Sequence, residues 1–373
     1  MTKKRLILFF DGTWMNVANE TNVYLLAKKV CSFDNQGMRQ KFFYSPGVGT
    51  NTLSRIPGGV AGFGLNENLL NGYEWLCQNY DDGDEIWIFG FSRGAYTARS
   101  LSGMIRKSGL LYITNDATLD QALSNYRTKD NDKEATEFRF RFSREVRIHF
   151  LGVWDTVGAL GIPYFRLMNR NLQWHDTQLS GIVERAYHAM AIDEHREIFS
   201  STPWVNPTKA SPREPAPRMH LNKAHEDYGK LPDGRIVEQR WFVGSHGDVG
   251  GGCENSKLAQ IPLAWMESQA VKAGLQLRTR CQIPDNAYMD PIYPSYERFG
   301  NGVYQFVRSL PLVGKGRYHR LVVTDSAMTQ VTNPCLDPSV LDLWKNDQTY
   351  RPKGLGDIQH HAVLPWNLAP EDR

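Results

Sequence analysis

Asp84-Glu85-Ile86-Trp87-Ile88-Phe89-Gly90-Phe91-Ser92-Arg93-Gly94-Ala95-Tyr96-Thr97-Ala98-Arg99-Ser100-Leu101 is the stretch on which the fold turns. Its apolar, β-branched and aromatic first part predicts a buried strand over Glu85–Phe91. The part after Ser92 suits a helix, predicted over Arg93–Lys107. Between them, Gly90-Phe91-Ser92-Arg93-Gly94 matches G-x-S-x-G, in which a serine sits on a sharp, strained strand-to-helix turn. The flanking glycines leave room for the turn and for close helix–strand packing. Chance alone produces the pentapeptide in roughly one chain in seven of this composition, so the strand before it and the helix after it carry the inference.

Working outward, further short apolar runs read as strands at Leu6–Phe10, Lys41–Tyr44, Val146–Trp154 and Gln239–Val243. Each ends in a small, polar or glycine-bearing turn, and helical patterns intervene, among them one over about Asn66–Tyr80. This alternation predicts a mostly parallel central sheet flanked by helices, an α/β fold of hydrolase-like type with inserted loops or a lid. In such sheets ligands bind just beyond the carboxyl ends of the strands, so the turns should converge on one crevice. Arg127–Glu145, dense in both charges, reads as a solvated helix and loop, and Pro203–Pro217, with prolines at 203, 207, 212, 215 and 217, as a loop. The helical and strand patterns weaken after about Leu275. We therefore expect residues 1–275 to form the catalytic core with its insertions, and 276–373 to be an extension packed on it rather than an independent domain.

The composition narrows the function classes. With 43 Lys+Arg against 40 Asp+Glu in 373 residues, there is no electrostatic footprint for nucleic acid. No run approaches the roughly 18–20 apolar residues of a membrane span. Leu6–Phe10 is too short for a signal-peptide core and ends at Asp11. The 5 cysteines are odd in number and form no C-x-x-C pair, which speaks against a disulfide framework and a structural zinc site. A folded, soluble chain of a reducing compartment is expected. Pro46–Asn51 and Gly58–Gly64 are glycine-rich but lack a G-K-[ST] ending and a clean dinucleotide fingerprint. No cofactor and no metal are expected, since His246-x-Asp248 finds no second pair of suitable spacing.

A serine nucleophile needs a base and a group that orients the base. Among 10 histidines, His246 follows the strand Trp241-Phe242-Val243 and precedes Gly247-Asp248-Val249-Gly250, a loop able to carry an imidazole over the sheet edge. His188 and His195 fall inside Ala186–Arg196, which reads as a packed element, and His149 reads as core. For the acid, Asp155 stands at the end of a predicted strand; Asp193 is the alternative, and it could instead pair with Arg196. Asp248 is too close in sequence to His246 and reads as a loop brace. The oxyanion donors should be the backbone amide of Arg93 and one from the turn after the first strand, at Gly12 or Thr13.

Four motifs in order, Phe9-Phe10-Asp11-Gly12-Thr13-Trp14, Gly90–Tyr96, Gly152-Val153-Trp154-Asp155-Thr156-Val157-Gly158 and Phe242–Gly252, resemble a widespread family of uncharacterised α/β-hydrolase-like proteins. That family includes the first class of type VI secretion lipase effectors. Ala186–Phe199 and Tyr350-Arg351-Pro352 are similar to it as well, and the likeness is close over residues 5–270. The resemblance implies a serine esterase and, for the effector members, phospholipase activity on membranes. It places Ser92 at the family's nucleophile, Asp155 at its acid and His246 at its base. Ser245-His246-Gly247-Asp248 departs from the family's usual V-H-S-D, keeping the His and Asp.

The expected function is thus a serine hydrolase of carboxylic esters, a lipase or phospholipase. The competing readings are a soluble-substrate esterase or thioesterase, and a non-catalytic binding module on the same fold. Expected partners are an ester or phospholipid substrate, a peripheral membrane contact, and, from the resemblance, a secretion-machinery or immunity protein; no nucleic acid is expected. The chain reads as a catalytic domain without adaptor or long anchoring module. It is expected in the cytoplasm of the producing cell, with export by a leaderless route.

Overall fold

Neighbouring residues along each central strand enter different cores. In β1 (Lys4–Phe10), Leu6, Leu8 and Phe10 pack on one face of the sheet while Ile7 and Phe9 pack on the other. In β3 (Glu85–Phe91), Ile86 and Ile88 are divided in the same way from Trp87, Phe89 and Phe91. A strand buried on both faces reads as a continuous apolar run, and a parallel sheet needs helices on both sides to cover it. The computed structural model describes residues 3–12, 20–47, 60–128, 132–157, 178–205, 220–221, 229–253, 256–309, 316–320 and 331–355.

Within these, the order is β1, α1 (Asn22–Lys29), β2 (Arg39–Ser45), α2 (Val60–Asn79), β3, α3 (Arg93–Ser108), β4 (Leu110–Leu111), α4 (Asp116–Arg127), α5 (Lys133–Phe142), β5 (Ser143–Arg144), β6 (Ile148–Trp154), β7 (Arg185–Ala191), β8 (His220–Leu221) and β9 (Ile236–Phe242). There follow α6 (His246–Gly250), α7 (Gln260–Lys272), α8 (Ser295–Arg298), α9 (Val303–Ser309), β10 (Pro334–Leu336) and α10 (Pro338–Asn346). The main sheet has 8 strands in the order β2-β1-β3-β6-β7-β9-β10-β8. Every pairing in it is parallel.

Helices α2 and α3 cover one face through Leu69, Tyr73, Leu76, Ala98, Leu101 and Met104. The opposite face is covered by α1 and α7, through Val23, Leu26, Leu263 and Met266. The result is an α/β sandwich of three layers, as the alternation of strand and helix patterns predicts. Strand β7 stands where the sequence reads only as a packed element. Register slips between β3 and β6 at Ile86/Trp87, so that Trp87 pairs with Phe150. His149, expected in the core, falls at this irregularity and is half-buried, its ring nitrogens near Glu184 Oε2 (3.2 Å) and the Ala273 carbonyl (3.0 Å).

Among the described residues, no helix is long and apolar enough to cross a membrane. None of the five cysteines, all within the described residues, forms a disulfide.

The turn between β3 and α3 brings backbone against backbone. A Cβ on Gly90 would lie 2.5 Å from the Gly94 carbonyl oxygen, and one on Gly94 only 2.2 Å from that of Phe10. The α3 backbone therefore rests directly on the end of β1, with no side chain between. Gly94→Ala should cost about 3 kcal/mol of stability, because the obstructing atoms are backbone and cannot swing aside. Urea denaturation checks this, and an unchanged midpoint would contradict so close an approach.

Candidate active site

Ser92 occupies the corner between β3 and α3 with φ 58° and ψ −121°, a conformation that non-glycine residues avoid. The bend is held by its amide, which donates to the Trp154 carbonyl of β6 (3.0 Å). Its hydroxyl is lifted above the carboxyl ends of the strands and lies 2.8 Å from His246 Nε2.

His246 opens α6, immediately beyond β9. The other ring nitrogen, Nδ1, is 2.6 Å from Asp155 Oδ2. Phe91 and Phe199 hold the imidazole, with ring centroids 4.7 and 4.9 Å from it. Both Ser92 and His246 are buried, at 6% and 4% exposure, so little water competes for the bond between them. Burial, the leading influence, pushes the imidazole's pKa below 6.5, although Asp155 opposes that shift.

Asp155 stands directly after β6, also at positive φ (37°). Its amide donates to the Ala189 carbonyl (2.7 Å). Oδ1 accepts from the Ala191 amide (3.0 Å) and from Arg320 (2.6 Å); Oδ2 accepts from His246 and from Arg320 (2.9 Å). Burial alone would raise this carboxyl's pKa. Arg320 and His246 outweigh it and hold the group well below the usual carboxylate range. The three side chains thus form one hydrogen-bonded line from the Ser92 hydroxyl through the imidazole to a fully buried carboxylate.

The other candidates are placed elsewhere. Asp193 accepts from the Gly244 amide (2.8 Å) and the Tyr350 hydroxyl (3.0 Å), bracing the turn after β9 rather than the His246 ring. Burial raises its pKa to about 7. Asp248 accepts from Ser245, Ser256 and the Tyr293 amide and so braces the loop that carries His246. His188 lies in β7, where its Nε2 accepts from the Thr156 amide (3.1 Å), supporting the turn behind Asp155. His195 Nδ1 faces the Tyr318 carbonyl (3.0 Å).

Arg93 begins α3 next to Ser92, and the amides of a helix's first turn lack intrahelical acceptors. The Gly12 amide donates to Asp11 Oδ1 (2.7 Å), while Asp11 Oδ2 accepts from Thr21 (2.7 Å) and Tyr44 (2.6 Å). Thr13 lies outside the described residues. Among those that are described, no group of three or more His, Cys, Asp or Glu is arranged to hold a metal ion.

Several site residues have no local sequence signal. Arg320 is one. Glu194 is another: it pairs through both carboxylate oxygens with Arg196 (2.8 Å each) and accepts the His246 amide (3.2 Å). Arg196 was readable as an ion-pair partner, but of Asp193; the structure gives it to Glu194 instead.

The chain is similar to several known proteins. Residues 4–269 match the family model described as type VI secretion system phospholipase effector Tle1-like, catalytic domain. An uncharacterised protein of Saccharomyces cerevisiae is 32% identical over 225 residues, covering 52% of this chain and 32% of that protein. Two solved structures are similar. An uncharacterised protein from Pseudomonas aeruginosa has TM-score 0.39 and 19% identity, covering 76% of this chain and 47% of its own. The structure of the Tle1 effector bound to the VgrG spike has TM-score 0.38 and 16% identity, covering 67% and 51%. The chain thus spans about a third to a half of the length of these relatives. On the match over residues 4–269, the chain belongs to the family of Tle1-like phospholipase effector catalytic domains of the type VI secretion system.

Proposed function

We propose that this protein is a serine esterase that hydrolyses acyl esters of phospholipids. The observation that carries the reading is the line Ser92 Oγ–His246–Asp155, with spacings of 2.8 and 2.6 Å, built at the carboxyl ends of the strands. Membership of a phospholipase family supplies the substrate class.

In this mechanism the Ser92 oxygen attacks the acyl carbonyl carbon while His246 Nε2 takes the hydroxyl proton. Asp155 fixes the tautomer with the proton on Nδ1 and balances the imidazolium as it forms. The imidazolium then protonates the departing alcohol, and water, activated by the same nitrogen, releases the fatty acid from Ser92. The oxyanion is assigned to the Arg93 amide and to a donor at Gly12 or Thr13. Since the Gly12 amide is engaged with Asp11, its participation requires that peptide to turn toward the substrate. Residues 1–275 act as the catalytic core and 276–373 as cover for it. Family membership further suggests a secretion-machinery partner and contact with a lipid surface.

The test is mass spectrometry of defined phospholipids incubated with the wild-type protein and with Ser92→Ala. Release of fatty acid and a lysophospholipid by the wild type alone is expected; equal release by both would end the serine mechanism. The pH dependence follows from the base. His246 must be neutral to accept a proton, so kcat/KM should fall as pH drops through its pKa and stay high above it. Burial puts that half-point below 6.5, which a kcat/KM profile on a soluble ester would show.

A further inference from the structure

Arg320 lies beyond residue 269, where the family match ends, in the part of the chain with the weakest sequence pattern. Yet it is 2% exposed, among the most buried cations of the molecule. One terminal nitrogen donates to Asp155 Oδ1 (2.6 Å) and to the Ala191 carbonyl (2.8 Å). The other donates to Asp155 Oδ2 (2.9 Å) and to the Phe199 carbonyl. The fork therefore grips both oxygens of the carboxylate that faces His246, and is itself fixed by backbone on either side.

The neighbouring anions are satisfied by other groups. Glu194 is taken by Arg196 and by Ser295, Asp193 by Gly244 and Tyr350, and Asp248 by Ser245, Ser256 and Tyr293. Among the described residues, the charged and titratable groups around His246 are thus Asp155 after β6, Glu194 and Arg196 after β7, Asp248 and Cys253 around α6, and Arg320 from the C-terminal segment. Of these, only Arg320 bonds to the carboxylate that bonds the ring.

We propose that Arg320 is a positioning residue of the hydrolytic site, delivered by the C-terminal segment to lock the Asp155 carboxylate in the plane that presents Oδ2 to His246 Nδ1. This rests on the reading of the site as a hydrolase. A bidentate fork fixes a carboxylate's rotation, which a single hydrogen bond does not. The same cation, one carboxylate away from the imidazole, opposes its protonation. Orientation and basicity are thus set together, and loss of the fork should separate them.

The experiment uses the full chain as wild type, Arg320→Gln and Arg320→Lys, each checked for folding by thermal melting. Two readouts are taken: the titration and Nδ1 proton resonance of His246 by NMR on ring-15N-histidine protein, and kcat and KM on a soluble ester across pH. In Arg320→Gln, kcat should drop about 10- to 100-fold with KM unchanged, because orientation is lost while substrate contacts are not. The His246 titration and the acid limb should move up by about one pH unit. Arg320→Lys keeps the charge without the fork. It should lose about tenfold in kcat with a displaced Nδ1 resonance but an acid limb close to wild type.

Folded variants with wild-type kcat, His246 titration and Nδ1 resonance would overturn the proposal. If Arg320→Gln does not fold, Arg320→Lys decides by kcat and the Nδ1 resonance. If the wild type hydrolyses no ester, the functional reading fails on its own, and the NMR readouts still decide whether Arg320 positions Asp155.

Discussion

Ser92→Ala is expected to lower kcat/KM on any ester by about five to six orders of magnitude, leaving only what binding and backbone donors contribute. The size of the loss comes from removing the atom that forms the acyl-enzyme, for which no neighbour can substitute. The variant should fold. Alanine at φ 58° suffers the same steric cost as serine, the Trp154 carbonyl keeps its amide donor, and Gly90 and Gly94 still allow the close approach of α3 to β1. What is lost is one hydrogen bond to His246 Nε2, worth about 1 kcal/mol in stability. A melting temperature near wild type with an abolished rate is therefore the expected pair of results. Covalent labelling by a fluorophosphonate probe gives an independent reading, since it needs the nucleophile but no particular acyl group. Wild-type hydrolysis by the alanine variant, or probe attachment at another serine, would remove Ser92 from the mechanism.

Much of the scaffold beneath this serine was legible because a parallel sheet writes itself as continuous apolar runs. Strands β1, β3 and β6 were readable for that reason, and the helix after Ser92 for its small, helix-compatible residues. Strand β7 was not, since Arg185-Ala186-Tyr187-His188-Ala189-Met190-Ala191 is rich in helix formers. It is a strand because β6 and β9 pair with it on both sides, a tertiary effect that overrides propensity. The sequence favours Asp155 over Asp193 for its place at the end of a predicted strand and for the family resemblance, but the residues alone leave Asp193 open, because both directly follow apolar segments. Which one faces His246 depends on the order of strands in the sheet and on the turn each residue makes. Gly12 illustrates a different gap. Position alone points to Gly12 or Thr13 for the second oxyanion donor, whereas the carboxylate of Asp11, one residue back, already accepts the Gly12 amide. Arg320 had no signal at all, for its partner stands 165 positions away in a segment without periodicity.

Asp155→Asn is expected to reduce kcat by about 10⁴, the loss that follows when a catalytic histidine is held in the wrong tautomer. The partners of the Asp155 carboxylate are all donors: His246 Nδ1–H, the Ala191 amide and both arms of Arg320. An asparagine amide brings its own donor into that setting and must point it somewhere. Aimed at His246, the NH₂ group forces Nδ1 to accept, so Nε2 carries the proton and cannot take one from Ser92. Aimed at Ala191, it meets the amide and an Arg320 nitrogen head on.

The same change leaves Arg320 buried without its anion, which should cost about 3–5 kcal/mol of stability. The sign of the pH effect supports the distinction. The Asp155 pKa is depressed on folding, so its contribution is present above the ordinary carboxylate pKa and is lost only as pH falls through the much lower folded value. The deficit of the variant should therefore be undiminished from neutral pH down to mildly acidic conditions. Asp193→Asn is the discriminating control. Asp193 touches Gly244 and Tyr350 rather than the imidazole, so kcat should stay within about tenfold of wild type, the change reaching the ring only through the loop. A reversal, with Asp155→Asn nearly active and Asp193→Asn inert, would transfer the acid's role to Asp193. It would also require the His246 loop to rearrange on binding substrate, since in this structure the imidazole is already bonded to Asp155.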